Sequence, residues 1–463
     1  YTGNLSHRKS FNSSISYSHK IRTMGEERAR TISFSPTVEY SYRGNNSDEP
    51  LWLTDSVKDT DVLPSVIIPQ FAELDRANST ETNQYSHTVK PSLGLTWGME
   101  PLAPGDSTFN ATVSTWLNLG VPIANEHYDY LRPEIGKEML SRTTASPFAH
   151  CGISLQSTNK VRDLSLSVSF NAGRDPVELS YLLTDRISSN PLVSYIPAEG
   201  GLKHERYYST YGYIYRRSRG DHHAEFNGYV SWRTTTNSAA MKTFYDARTG
   251  LTIYQPANIN GNWNISGNLG YSMAFLPSEP LRAGVRLGVN YDHAVDYMTL
   301  DSVPSRNSVN TFTMTPEALV TYNFMSGSSV TVSYVANWRD VTSPVNSFND
   351  FTALTHNATL SGALKLPWKL TFETKLVFRK RTGYESKAMN NTEWVWNASL
   401  EKSMLKGKLV ARLEGVDLLN SGKDIRMTVN ASGRVETWSL RLPTYGLFSL
   451  IYRLDMKPRS SRP

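Results

Sequence analysis

The densest grouping of metal-ligand types in this 463-residue chain is His222, His223 and Glu225. In an extended segment His223 and Glu225 share one face while His222 points to the other, so at most two ligands converge, fewer than the three or four that a protein-held metal takes. We read the group as a chance pair at a strand start and expect no metal site. No Gly-x-Ser-x-Gly elbow, no phosphate-binding glycine loop with its lysine and no His-Glu-x-x-His helix occurs. The ten histidines are scattered, and none lies beside a marked Ser/Asp pair. Glu26 and Glu27 are adjacent carboxylates in a turn, where solvation is the ordinary explanation. The expectation is a non-enzyme with no catalytic residue, no metal and no cofactor.

A second group of side chains has charge but no linear motif. Arg282, Arg286, Glu373, Lys375, Arg379, Glu401, Arg412 and Glu414 fall by strand parity on the face opposite the apolar one. Such rows pair across neighbouring strands or set the charge along a water-filled path. Their mixed sign argues against a simple anion or cation filter.

The elements that must position these rows are strands. In Asn391 to Lys402 the residues Trp394, Trp396, Ala398 and Leu400 fall on one side and Asn397, Ser399 and Glu401 on the other. Lys408 to Val416 sets Leu409, Ala411 and Leu413 against Arg412 and Glu414, and Leu447 to Leu454 sets Phe448, Leu450, Tyr452 and Leu454 on one face. In the run from Leu281 to Asp292, six apolar residues alternate with Arg282, Gly284, Arg286, Gly288, Asn290 and Asp292. That opposite face must be wet, which a soluble sandwich does not provide. The predicted strands run ten to fourteen residues against the five to six usual in globular sheets. They match the roughly nine to eleven needed to cross a bilayer at a tilt.

Composition agrees. Only 39% of residues are hydrophobic, yet there are 25 Tyr, 10 Trp and 16 Phe, too many aromatics for a disordered chain. No apolar run reaches the length of a helical span. A net charge of +6 is spread over strand faces and ends rather than gathered into a nucleic-acid stripe, and the single Cys151 permits no intrachain disulfide. No repeat of fixed length marks a propeller or solenoid. The predicted fold is therefore all-β, a transmembrane antiparallel barrel of about 18–22 strands with long extracellular loops and short periplasmic turns. Trp97, Trp116, Trp232, Trp338, Trp368, Trp394 and Tyr452 stand near strand ends, where an interfacial aromatic girdle belongs.

Two long breaks interrupt the pattern, Gly44 to Asn83 and Pro122 to Lys160, the second with a weakly helical stretch from Pro133 to Ser141. Both are read as outward loops, and Trp52, His127, Tyr128 and Tyr130 in them are the expected ligand contacts. Tyr181 to Arg206 is a further irregular stretch, Lys242 to Tyr254 reads as one strand among the close hairpins, and Pro36 is a flaw in the strand Thr31 to Arg43.

The carboxy-terminal part resembles the outer-membrane β-barrel family of Bacteroidota related to TonB-dependent receptors. The likeness is carried by Gly383-Tyr384, Asn391-Thr392-Glu393-Trp394-Val395-Trp396-Asn397-Ala398, Lys406-Gly407-Lys408-Leu409, Asp417-Leu418-Leu419 and Asn430-Ala431-Ser432-Gly433-Arg434. Asn190-Pro191-Leu192 and Gly201-Leu202-Lys203 match the family's Asn-Pro and Leu-Lys segment, with Pro197-Ala198-Glu199-Gly200 departing from it between. The resemblance covers about Thr184 to Pro463. It implies residues 1–463 as a single barrel domain, preceded in a longer protein by a regulatory-like domain, a plug and the first strands. The function implied is an outer-membrane receptor or transporter importing a nutrient captured by the outer loops. Outer-membrane lipid, TonB acting through the plug and a surface lipoprotein are the expected partners, and nucleic acid is not. The alternatives are a non-transporting surface barrel for adhesion or assembly and an unplugged diffusion porin.

Overall fold

A computed structural model describes residues 5–452 apart from 26–27, 54–72, 102–110, 133–135, 159–161, 184–191, 219–222, 276–279, 301–302, 346–349, 385–386, 388, 431–432 and 440–443. In chain order the first strands are β1 Leu5–Ser16, β2 His19–Met24, β3 Arg28–Leu53, β4 Glu73–Pro101, β5 Ala111–Gly120, β6 Ile123–Arg132, β7 Gly136–Ala145, β8 Phe148–Thr158 and β9 Arg162–Asp175. A 3-10 turn, Leu179–Leu182, and the short β10 Val193–Tyr195 precede β11 Glu205–Ser218, β12 Ala224–Thr236, β13 Ser238–Tyr245, β14 Thr252–Ile259 and β15 Trp263–Phe275. Then come β16 Leu281–Leu300, β17 Val303–Asn323, β18 Ser329–Thr342, β19 Phe351–Leu366, β20 Leu370–Thr382, β21 Thr392–Met404 and β22 Leu409–Val416. The hairpin β23 Asp424–Asn430 and β24 Gly433–Ser439 lies before the closing β25 Tyr445–Tyr452. No α-helix occurs among the described residues, and no helix is long and apolar enough to cross a membrane.

Twenty of these strands form one antiparallel sheet of the transmembrane-barrel type. From β15 to β22 the strands pair in sequence order, β1 and β2 both pair with β3, β5 and β6 both pair with β4, and among the described residues β1, β2, β7 and β25 each pair with one strand only. Connections segregate by edge. On one edge they are three to nine residues long: 25–27, 102–110, 159–161, 219–223, 276–280, 324–328, 367–369 and 405–408. On the other edge lie all the connections longer than nine residues, 54–72, 176–204, 237–262 and 417–444, together with the shorter 133–135, 301–302, 343–350 and 383–391 and the far ends of the longest strands, β3, β4, β16 and β17. One-sided loops of this kind follow from an up-and-down meander with different solvents at its two ends.

The sheet's two faces differ as the alternation predicts. Register places Val168 of β9, Gly212 of β11, Val230 of β12, Gly267 of β15 and Val289 of β16 in one cross-strand row. On that face Val168, Val230, Leu269, Val285 and Val332 are each more than half exposed. The solvent-accessible area is 29149 Å², against about 17,500 Å² expected for a water-soluble monomer of this mass. The only buried hydrophobic cluster among the described residues is Val309 with Val341, packed by Ala294 and Phe351, in the long-loop half of β16–β19. Hydrocarbon is the solvent that removes the cost of such a face.

Several sequence expectations are corrected. Gly44 to Leu53 and Glu73 to Asn83 are not loop: they continue β3 and β4 as a paired ladder beyond the apolar belt. Pro122 to Lys160 is mostly strand, with Pro133 to Ser141 falling into β7 from Gly136 rather than a helix. Lys242 to Tyr254 is not one strand. It spans parts of β13 and β14, which pair with each other and, through β14, in parallel with β10 in a separate three-stranded sheet. Trp116 lies on the polar face, where its indole N–H donates to His150 Nε2 at 3.3 Å, and is no girdle residue.

Candidate functional site

Prolines build the site by interrupting the ladder. Proline has no N–H to give, so a strand carrying one must bulge or break there. Pro36 faces the gap between β1 and β2, Pro122 lies between β5 and β6, and Pro147 lies between β7 and β8. Their carbonyls still accept: Tyr17 N–H from Pro36 at 3.1 Å, Ser146 N–H from Pro122 at 2.9 Å and Arg174 N–H from Pro147 at 3.2 Å. Pro91 completes the line by accepting from Val121 N–H at 3.1 Å. The result is a crease running across neighbouring strands at one height.

A cavity of about 930 Å³ opens at this crease, lined from β1, β3, β4, β6, β8, β9 and β11. Its lining carries the cations Arg43, Lys90 and Arg174 and the carboxylates Glu39, Glu126 and Asp175. Lys90 Nζ lies 3.1 Å from Glu39 and 5.3 Å above the Phe148 ring. Arg142 Nε donates to Glu126 at 2.7 Å, and its guanidinium also donates to the Val177 carbonyl. That second bond ties β7 to the segment after β9, where Val177, Leu179 and Leu183 are buried. His204, just before β11, is held below its ordinary value by burial and by the nearby Arg174 and Arg142 cations. The cavity offers charges of both signs, hydrogen bonds and a ring face.

The expected loop contacts do not gather here. His127, Tyr128 and Tyr130 sit in the strand β6, not in a loop, because β6 pairs with both β4 and β7. His127 Nε2 is 3.0 Å from Asp129 Oδ1 and its ring stacks on Tyr85 at 4.7 Å. Lys137 Nζ completes that group, 3.1 Å from Asp129 Oδ2. Tyr130 is buried. Trp52 lies at the end of β3, its backbone opposite Leu74, and its side chain is outside the described residues. His222 is likewise outside them, whereas His223 and Glu225 share a small recess with Arg217 and Arg282, a cationic setting unfit for a metal.

The charged rows share the polar face and meet one another. Arg286 approaches Glu317 at 3.6 Å, Arg412 approaches Glu373 at 3.8 Å and Glu414 at 3.5 Å, and Arg379 approaches Glu393 at 3.6 Å. Lys375 lies opposite Asn397, Glu401 opposite Arg412, and Arg282 opposite Thr321. The centre of this network is a residue the charge pattern did not single out. Glu393 is 1% exposed, accepts from Arg381 and faces the Lys423 N–H at 3.5 Å. Its parity was readable; its burial was not.

Above the apolar belt, β13 leans on the far end of β16. Thr299 Oγ1 donates to the Thr243 carbonyl at 2.7 Å, and Lys242 Nζ sits 5.6 Å from the Tyr297 ring centre. Burial raises the Asp296 carboxyl above its ordinary value, against the Tyr297 N–H that donates to it at 2.8 Å. In the motif Gly383-Tyr384, glycine is required: its φ is +83°, and a Cβ would stand 2.0 Å from the Thr352 carbonyl oxygen.

No family model matches the chain, and no curated protein matches it in sequence. Among solved structures it is similar to the ferric-catecholate import receptor Fiu from E. coli K12, at 10% identity over 96% of this chain and 80% of that one, with a TM-score of 0.31. The FrpB iron transporter from Neisseria meningitidis gives 10% identity, 95% and 73% coverage and a TM-score of 0.35. The siderophore receptor PirA from Acinetobacter baumannii gives 8%, 96% and 80%, and 0.29. At these values the likeness carries no argument, and the site's own chemistry must.

Proposed function

We propose that this chain is the barrel portion of an outer-membrane receptor or transporter of the TonB-dependent type, importing a nutrient captured on its long-loop edge. The observation that carries the reading is the pairing of an uncovered apolar face with long connections confined to one edge. The first supports a bilayer around the sheet; the second supports one end facing outside, with its long segments available for capture. On this reading the polar face lines a lumen, and the Arg/Glu rows of β16 to β22 line it or meet a plug. Outer-membrane lipid and TonB, acting through such a plug, are the partners. No enzymatic step is proposed.

The test is made on the full-length protein in its native membrane. Nutrient accumulation is expected to require both this protein and an energised inner membrane, and reconstituted protein is expected to pass little single-channel current. A large ohmic conductance independent of energy would make it a diffusion porin. No accumulation, with surface binding intact, would make it an adhesion or assembly barrel.

A further inference from the structure

A polar patch interrupts the apolar face on β18 to β21. Register carries the row of Val168, Val230 and Val289 on through Met314, Trp338 and Leu354 to Thr382. His356 of β19 and Lys380 of β20, which lie opposite each other, therefore share that face by parity. Each stands ten residues from the short-turn end of its strand, Leu366 and Leu370. Ten residues are about 34 Å of strand, or about 26 Å of height at a tilt near 40°, close to the height of the apolar band in such barrels. The pair sits at the long-loop margin of that band.

The Tyr334 hydroxyl is 2.6 Å from His356 Nδ1. With the hydroxyl donating, the neutral ring carries its proton on Nε2, as a donor. Lys380 is exposed, and its neighbours across the ladder are His356 and Thr392, so no carboxylate stands opposite it. On β18 to β21 the other charged residues of this face are Lys402, opposite Leu370 at the short-turn end, and Asp340, whose carboxylate accepts from Thr352 Oγ1 at 2.6 Å.

Beside the pair a groove of about 220 Å³ lies over Ala358, walled by Val332, Leu360, Leu376, Phe378 and Trp394. Ala358 is opposite Tyr334 on one side and Phe378 on the other, so groove and polar pair adjoin. The Phe378 and Trp394 rings, 4.7 Å apart between centres, give it a firm side. Snorkelling alone accounts for Lys380 but for neither the oriented histidine nor the groove. A second copy seated face to face would bring the same cation, and its Asp340 is already engaged. An apolar slot that ends at a cation and an N–H suits an acyl chain that ends in phosphate.

We propose that this patch holds one lipid of the long-loop leaflet, its acyl chain in the groove over Ala358 and its headgroup phosphate accepting from Lys380 Nζ and His356 Nε2. The assignment rests on the reading above that this face meets a bilayer.

The experiment titrates the full-length protein in detergent with dioleoyl phosphatidic acid. Dioleoylglycerol supplies the same chains without phosphate, and inorganic phosphate supplies the anion alone. Native mass spectrometry is expected to find a single retained phosphatidic acid that inorganic phosphate does not displace. Lys380→Gln should weaken its retention roughly tenfold, through loss of a charge-assisted contact. Ala358→Leu fills the slot, leaves both polar groups in place and should weaken retention by as much, with unchanged circular dichroism excluding misfolding. Equal retention of dioleoylglycerol, unchanged retention in either variant, or displacement by inorganic phosphate overturns the lipid site and leaves the bilayer reading standing. A protein that stays folded and monomeric once detergent is removed overturns both.

Discussion

Glu393 offers the sharpest energetic test, because one buried carboxylate holds two arginines and the segment leading out of β22. At 3.6 Å and an effective dielectric near 20, an Arg/Glu pair is worth about 4–5 kcal/mol before desolvation is counted. Arg379 is 36% exposed, so solvent screens most of its share. Arg381 is only 10% exposed and has no comparable screening. Glu393→Gln strips the charge from a site of nearly the same shape and leaves the Arg381 cation uncompensated, a change that costs about 3–5 kcal/mol when one partner of a buried pair is removed. Equilibrium urea unfolding of the full chain in phospholipid bilayers, read by the adjacent Trp394 and Trp396, measures the loss. Adding Arg381→Met should recover at least half of it, since the stranded charge is then gone. A loss below about 1 kcal/mol, the range of exposed pairs, would refute the claim that this node is dry.

Gly383→Ala is expected to cost more than about 2 kcal/mol in the same unfolding assay, from a positive φ combined with a backbone clash. Gly407→Ala is the control: its φ is +89° but nothing lies within 4 Å of the added carbon, so only about 1 kcal/mol should be lost. For Asp296 the folded-state carboxyl lies above its unfolded value, so the folded state binds the extra proton and stability rises as pH falls through the folded value toward about 4. Hydrogen exchange of the β13 and β16 amides should slow over that window, and Asp296→Asn should remove the dependence and slow exchange at neutral pH. Cys151 faces the apolar side, opposite Leu117 and Phe170. In bilayers it should resist a charged impermeant maleimide and react with an apolar one, and equal labelling by both would contradict its placement.

Period-two alternation was enough to read the barrel strands, because within the belt each strand meets hydrocarbon on one side and water on the other. The same logic explains the misreadings. In Gly44 to Leu53 and in β6 and β7 both faces meet water or neighbouring protein, so residues such as Asn45, Asn46, Glu126 and Asp129 alternate with nothing apolar and look like loop. Pro36 read as a flaw, and it is one: its meaning lies in Pro91, Pro122 and Pro147, which only register aligns with it. The crease cavity draws on strands from β1 to β11, so no linear motif could announce it. Tyr207, Tyr211, Tyr213 and Tyr215 were visible as an alternating run, but Tyr208 lies among them and only the pairing with β9 says which face is wet.

The central claim is that the apolar face meets lipid and the opposite face meets water. A walk of single spin-labelled cysteines along β16, in a Cys151→Ala background and lipid bilayers, tests it most directly. Positions 283, 285, 287 and 289 should be relaxed by oxygen dissolved in the bilayer, and positions 282, 284, 286 and 288 by a water-soluble nickel chelate. Loss of that two-residue period, or chelate access at position 285, would contradict it.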